Sequence, residues 1–192
     1  RHNGNFSGLT TMFVGERLLG IALDDMSLQL IGDRKKTRRT TSITGVYKSI
    51  AIPNSGEQLI AATDRWVYVW RIKEFPKNAR KFDGVKNPVL VGGFHQRIVV
   101  VGQNGQIVIH ELDKTPPTIA SLRLEAKMDE IAMNRTATIL GYISNEMAFL
   151  YNIETGETTE HVWMPAIPVG IAIDDNNKCI LWTEEGKVYR EP

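Results

Sequence analysis

GEQLIAATDRWVYVWRI, residues 56–72, holds two apolar runs on either side of a short polar corner. Leu59-Ile60-Ala61-Ala62 is apolar on both faces of an extended chain. Trp66-Val67-Tyr68-Val69-Trp70 is a run of β-branched and aromatic side chains, which pack well on a pleated surface. Thr63-Asp64-Arg65 between them is too short for a crossover connection, so the two runs predict an antiparallel hairpin. Asn54-Ser55-Gly56 supplies the turn that precedes it. A lone hairpin is marginal in water, so this one needs neighbours of its own kind.

The chain supplies them. The corner recurs at Asp25, Asp64, Asn104, Asn145 and Glu185, at steps of 39, 40, 41 and 40 residues. An apolar strand precedes each corner: Leu18 to Ile21, Leu59 to Ala62, Ile98 to Val101, Ile139 to Tyr142 and Ile180 to Trp182. An alternating strand follows, carrying Leu28 and Leu30, Val67 and Val69, Ile107 and Ile109, Phe149 with Tyr151, and Val188. A further strand comes before each pair, around Phe13, Ile50, Leu90, Ala132 and Ala172. A more polar one comes after, at Arg39 to Ile43, Ala79 to Phe82, Thr118 to Leu124 and Thr158 to Trp163. Four strands every ~40 residues is the period of a propeller blade of the WD type.

Several segments also resemble the WD-repeat family. Trp70-Arg71 stands where that family ends its third strand in Trp-Asp, and Tyr151-Asn152-Ile153-Glu154-Thr155-Gly156-Glu157 is similar to the same segment with its Thr-Gly turn. Ile31-Gly32 and His110-Glu111 hold the equivalent places in degenerate form, and no repeat carries the family's Gly-His dipeptide. The resemblance spans nearly the whole chain and names no subfamily. The expected fold is therefore all-β: a WD-type β-propeller of about five four-stranded antiparallel blades, over 9–45, 46–86, 87–126, 127–166 and 167–192. The last blade stops after Val188 and Tyr189, short of a fourth strand. Either residues 1–8 (RHNGNFSG) complete it or the missing piece lies outside the chain, and Arg1 implies a processed chain or a fragment. Five blades would be unusual for such a ring, so the expectation is a partial ring or one finished by a partner.

Of the 192 residues 42% are hydrophobic and 23% charged, an ordinary globular balance with enough chain for a real core. No apolar run approaches the ~20 residues that cross a bilayer. The single cysteine, Cys179, excludes an internal disulfide and sits in an apolar strand, which fits a buried inert thiol and a reducing compartment, cytoplasmic or nuclear. On that reading the sequons at Asn5 and Asn134 are chance matches. The net charge of +1 hides a split: residues 1–100 hold 16 Lys and Arg against 8 Asp and Glu, whereas residues 101–192 hold 7 against 14. Successive blades are neighbours, so this split predicts a basic side and an acidic side, able to steer charged partners.

Two groups of candidate site residues follow. Trp66 stands two places past its corner, where the other repeats carry Ser27, Gln106, Met147 and Lys187, so a rim position is expected. An aromatic there suits a protein-binding anchor, or else covers a neighbouring blade. Trp66 and Met147, with Asp64 and Arg65 of the corner, are the candidate protein-binding residues. The second group is basic. Arg34, Lys35, Lys36, Arg38 and Arg39 lie in one run, and Arg80 and Lys81 occupy the equivalent region of the next repeat, interleaved with Phe75 and Phe82. A solvated loop is one reading of the run, a phosphate-binding patch for RNA another. Arg38-Arg39-Thr40-Thr41 also sets basic residues before hydroxyls, making Thr40 and Thr41 candidate phosphorylation sites.

Nothing in the sequence points to catalysis. His2, His95, His110 and His161 fall at unrelated places with no metal-ligand spacing, and Asp174-Asp175-Asn176-Asn177 lacks the spacing of a calcium loop. There is no phosphate-cradling glycine loop and no nucleophile elbow. The first strands, which line the axis of a propeller, read small or apolar. The expectation is a non-enzymatic scaffold without cofactor or metal that binds other protein subunits, with an RNA-binding subunit that assists a partner enzyme as the alternative.

Overall fold

The computed structural model describes residues 9–14, 18–23, 27–32, 38–42, 45–53, 57–82, 85–114, 118–124, 127–162 and 165–190. These form 19 strands joined by turns, and among them there is no helix. The first sheet contains β1 (Leu9–Val14), β2 (Leu18–Leu23), β3 (Ser27–Gly32) and β4 (Arg38–Ser42). The second contains β5 (Tyr47–Ala51), β6 (Gln58–Thr63), β7 (Val67–Arg71) and β8 (Arg80–Phe82). The third contains β9 (Pro88–Phe94), β10 (Arg97–Gly102), β11 (Gln106–Glu111) and β12 (Thr118–Arg123). The fourth contains β13 (Glu130–Met133), β14 (Ile139–Ser144), β15 (Met147–Asn152) and β16 (Thr158–Val162), and the fifth β17 (Gly170–Ile173), β18 (Cys179–Trp182) and β19 (Val188–Arg190).

Every sheet is an antiparallel meander in chain order, because each connection is too short to skip a strand. The facing pairs nearest the corner of the central hairpins are Ala22 with Leu28, Ala62 with Val67, Val101 with Ile107 and Trp182 with Val188; sheet 4 has Ile143 with Ala148 at this place and one further pair, Ser144 with Met147, inside it. Irregularities repeat too. The pairing of first with second strand shifts register near the corner end in the first three sheets, at Leu9/Thr11, Tyr47/Ser49 and Val101/Gly102.

The sheets lie in a row, each first strand against the first strand of the next: β1 by β5, β5 by β9, β9 by β13 and β13 by β17. Apolar clusters fill the junctions. Leu28 and Leu30 of sheet 1 pack with Leu59, Ala61, Tyr68 and Trp70 of sheet 2, whose other face (Ile60, Ala62, Val67, Val69) packs on Val91, Ile98 and Val100 of sheet 3. Val99, Val101, Ile107 and Ile109 then meet Leu140, Tyr142 and Tyr151 of sheet 4, and Ile143 and Leu150 meet Ile171, Cys179 and Leu181 of sheet 5. Trp70 is buried in the first of these junctions, stacked on Tyr68 and edge-on to Phe75. Phe82 is buried in the second, beside His110.

Polar ties fasten like ends of neighbouring sheets. Gln58 Nε2 donates to Gln96 Oε1 (3.3 Å), Arg80 Nη1 to the Leu112 carbonyl (2.7 Å), and Arg97 Nη1 meets Glu154 Oε1 at 2.9 Å. Between sheets 4 and 5 the tie is Asn134 Nδ2 to Asn177 Oδ1, 2.7 Å. All four lie at the end of the sheets opposite the corners, so the corners share the other end.

Asn134 is buried, and its carbonyl oxygen accepts from the backbone N–H groups of Thr138 and Ile139, both at 2.9 Å. Asp174, one repeat later, does the same with the N–H groups of Asn176 and Lys178, and Arg190 bonds its second oxygen. The backbone bond from Lys178, with help from Arg190 and Asn176, holds the Asp174 carboxyl below the usual carboxylate range. The acidic run at 174–177 is thus a hairpin turn closed by its own side chain.

Candidate interaction face

Four of the five corners lie among the described residues; Asp25 lies outside them. The corner of sheet 2 is the most tightly tied. Thr63 Oγ1 accepts from the N–H groups of Arg65 (3.3 Å) and Trp66 (3.0 Å), and the Thr63 N–H donates to the Trp66 carbonyl at 2.8 Å. Asp64 reaches sideways to the segment that enters the sheet: its Oδ1 accepts from Val46 N–H, and its own N–H donates to the Val46 carbonyl, both at 2.9 Å. That approach demands glycine next door. Gly45 has φ +111°, and a Cβ there would stand 2.5 Å from Asp64 Oδ1. At the corner of sheet 3, Gly105 alone of Asn104-Gly105 takes a positive φ (79°), while the Asn104 side chain accepts from Gln106 N–H. In sheet 4 Asn145 and Glu146 both take positive φ, 50° and 65°. That is the demand of a two-residue hairpin turn whose twist matches its strands.

Trp66 is half-buried and packs against the cluster joining sheets 1 and 2. The Lys81 ammonium, from the outer strand, stands 3.4 Å from its ring centroid, a cation–π contact. Packing and ammonium together leave little open ring for a base to stack on. Arg65 is exposed beside it, 4.0 Å from Asp64, and Val46 is an exposed apolar neighbour. Asp64, Arg65, Trp66 and Lys81 are therefore brought to one corner, and Met147 is exposed on the corner of sheet 4.

Sheet 5 adds residues that the sequence did not single out. Leu28, Val67, Ile107 and Ala148 hold one place in the first four sheets, and each is 3% exposed or less. Val188 holds that place in sheet 5 and is 67% exposed. Its facing partner Trp182 is 38% exposed and lies flat over Gly170, where a Cβ would stand 1.9 Å from the indole. Val169, which donates its N–H to the Trp182 carbonyl, is exposed beside it. Ile180, Trp182 and Val188 lie on the face of sheet 5 that, in sheets 1 to 4, the next sheet covers. The exposed large hydrophobic residues among those described are Val46, Met147, Ile167, Val169, Trp182 and Val188. Each flanks a corner or lies in a segment entering a sheet at the corner end.

The basic candidates are dispersed. Arg34, Lys35 and Lys36 lie outside the described residues. Arg38 and Arg39 are in β4 opposite Ile31 and Leu30; Thr40 and Thr41 follow, opposite Gln29 and Leu28, with Thr41 half-buried. Arg80 is spent on the Leu112 carbonyl and lies 5.4 Å from the Phe82 ring, and Lys81 is drawn to Trp66. Among the described residues no three His, Cys, Asp or Glu side chains converge to hold a metal ion. No helix among them is long and apolar enough to cross a membrane. No protein-family model matches the chain, and no curated protein is significantly similar to it.

Proposed function

We propose that the five sheets are blades of a WD-like propeller, a partial ring or one finished by a partner, serving as a non-catalytic scaffold in a multi-subunit assembly. Its docking face is the corner end. One observation carries this reading: the exposed large hydrophobic residues gather at that end, interspersed with Asp64, Arg65, Glu146 and Glu185. Apolar anchors within a polar rim are the anatomy of a protein–protein interface rather than of scattered surface residues. The single buried thiol, Cys179, fits work in the cytoplasm or nucleus.

The test compares partners recovered with the native chain and with Val46→Asp/Arg65→Glu/Met147→Glu, all exposed and so tolerant of change. A triple variant on the opposite end, Asp113→Lys/Arg135→Glu/Asp175→Lys, is the control. Partners lost only with the corner variant support the reading; the same partners retained by both sink it.

A second reading, an RNA-binding subunit, draws on the basic run Arg34, Lys35, Lys36, Arg38 and Arg39 with Arg80 and Lys81; the exposed cations Arg71, Lys73 and Lys77, in β7 and the turn after it, add to the charge of sheet 2. It predicts RNA affinity whose logarithm falls with the logarithm of salt, by about 0.7 per phosphate contact on single strands. Affinity that ignores salt removes it.

A further inference from the structure

Among the described residues sheet 5 stops at three strands, and its last, β19, has one unpaired edge. In sheets 1 to 4 the same edge, that of β3, β7, β11 and β15, carries a fourth antiparallel strand. The pairing of β19 determines which groups that edge offers. Thr183 N–H donates to the Lys187 carbonyl at 3.1 Å, so that carbonyl points towards β18. Direction alternates along a strand, so Tyr189 also turns its backbone groups to β18, where it faces Leu181. Val188 and Arg190 therefore present their N–H and C=O groups outwards. Asp174 holds the Arg190 guanidinium and fixes the end of the strand.

The four completed sheets specify what such an edge takes. Leu28, Val67, Ile107 and Ala148, at the place of Val188, face Thr41, Phe82, Leu122 and Val162, each apolar or β-branched. At the place of Tyr189 the facing residues are Thr40, Lys81, Ser121 and His161, all polar. At the place of Arg190 they are Arg39, Arg80, Ala120 and Glu160, which share no chemistry.

We infer that the edge of β19 binds an extended segment of another protein, which joins sheet 5 as its fourth strand. The segment runs antiparallel to β19, with a polar residue opposite Tyr189 followed by an apolar or β-branched one opposite Val188. That second residue continues the cross-strand row of Trp182 and Val188 and covers a side chain that is 67% exposed. Main-chain bonds at Val188 and Arg190 give affinity, and the alternating side chains give selectivity. A second copy has no strand of this pattern to spare, because β4, β8, β12 and β16 are each paired within their own sheets. Sheet 1, with the first described residues, lies at the other end of the row from sheet 5. The inference concerns an edge and not the corner end, and it stands whether or not that end docks partners.

The experiment is hydrogen exchange of the isotope-labelled full chain, read amide by amide by nuclear magnetic resonance. The probe is a capped peptide copying residues 158–162 of β16, Thr-Thr-Glu-His-Val. In the free chain the Tyr189 amide is protected, while those of Val188 and Arg190 exchange freely. The peptide protects both, with half-saturation at about 100 µM. Methylating the peptide's valine nitrogen, which donates to Val188, weakens binding about fivefold to tenfold; methylating its histidine nitrogen, which points away, leaves binding unchanged. Val188→Pro, which removes one outward N–H, weakens binding to a similar degree with circular dichroism unchanged. No protection at about 1 mM peptide overturns the proposal, and so does binding indifferent to which nitrogen is methylated. Protection already present in the free chain also overturns it: if lost on dilution it assigns the edge to a second copy, and if lost on removing residues 1–8, to the chain's own beginning.

Discussion

Replacing Asn134 by alanine removes a side chain that serves two structural purposes at once. Its carbonyl oxygen satisfies the N–H groups of Thr138 and Ile139 at the start of β14, and its amide group bonds Thr136 Oγ1 (2.9 Å), Thr138 Oγ1 (3.0 Å) and Asn177 Oδ1 (2.7 Å). The residue is only 4% exposed, so water replaces these partners poorly. Two orphaned backbone donors at about 1 kcal/mol each, with the lost bond to sheet 5 at a similar value, give about 3 kcal/mol. For a chain of this length that lowers the melting temperature by about 6–12 °C. Asn134→Asp is the discriminating variant. A carboxylate still accepts from both N–H groups, as Asp174 does in the equivalent turn, but it has no proton to give Asn177. Its cost should be about 1 kcal/mol, the value of the tie between sheets. Urea unfolding followed by circular dichroism, with Asn177→Ala completing a double-mutant cycle, measures both terms. The reasoning fails if Asn134→Ala costs less than about 1 kcal/mol, or if Asn134→Asp costs as much as the alanine.

Three further outcomes follow from the same geometry. Trp70→Ala should cost about 4 kcal/mol, whereas Trp70→Phe should cost far less than its volume suggests, because the buried indole N–H has no hydrogen-bond partner among the described residues; chemical denaturation compares them. Gly45→Ala should destabilise by about 2 kcal/mol, and Gly45→Ala/Asp64→Ala should cost less than the sum of the single changes, because the clash with Asp64 Oδ1 is then gone. Asp174 sets an acid dependence: with its folded value depressed, the stability drawn from its ionised form is present above the ordinary carboxylate range and is lost as pH falls through the folded value. Urea midpoints of the native chain and Asp174→Asn should therefore differ near pH 7 and draw together as pH falls below the ordinary carboxylate range; a constant difference would refute this.

How far the sequence revealed this molecule depends on which neighbour decides each property. Strand placement was legible because it is decided within one repeat: alternation at Val67 and Val69 or Ile107 and Ile109, with a polar corner before them, leaves no other local conformation. The burial of Trp70 was legible because Ile31, His110 and Tyr151 at its place are all bulky. Trp66 was only half legible. Its polar equivalents point to the rim, but the Lys81 ammonium on its ring comes from a different strand, and only the pairing of Tyr68 with Lys81 brings them together. Asn134 passed for a chance sequon, although the step of 40 residues to Asp174, in the same turn, was a usable signal.

Val188 and Trp182 were not legible at all. Their residue types match the buried positions of every other repeat, and what differs is the sheet beside them. Burial in a row of sheets is a property of each junction, so a repeat sequence specifies which face is apolar but not whether that face is covered. The same argument makes the end of sheet 5 the place where a change of surroundings matters most. Val188→Thr, nearly neutral in the monomer because the side chain is already exposed, should acquire a cost only when something is bound there. A Val188→Thr chain whose stability and recovered partners both equal those of the native chain would remove sheet 5 from the interaction face. Loss of partners at unchanged stability would fix it there.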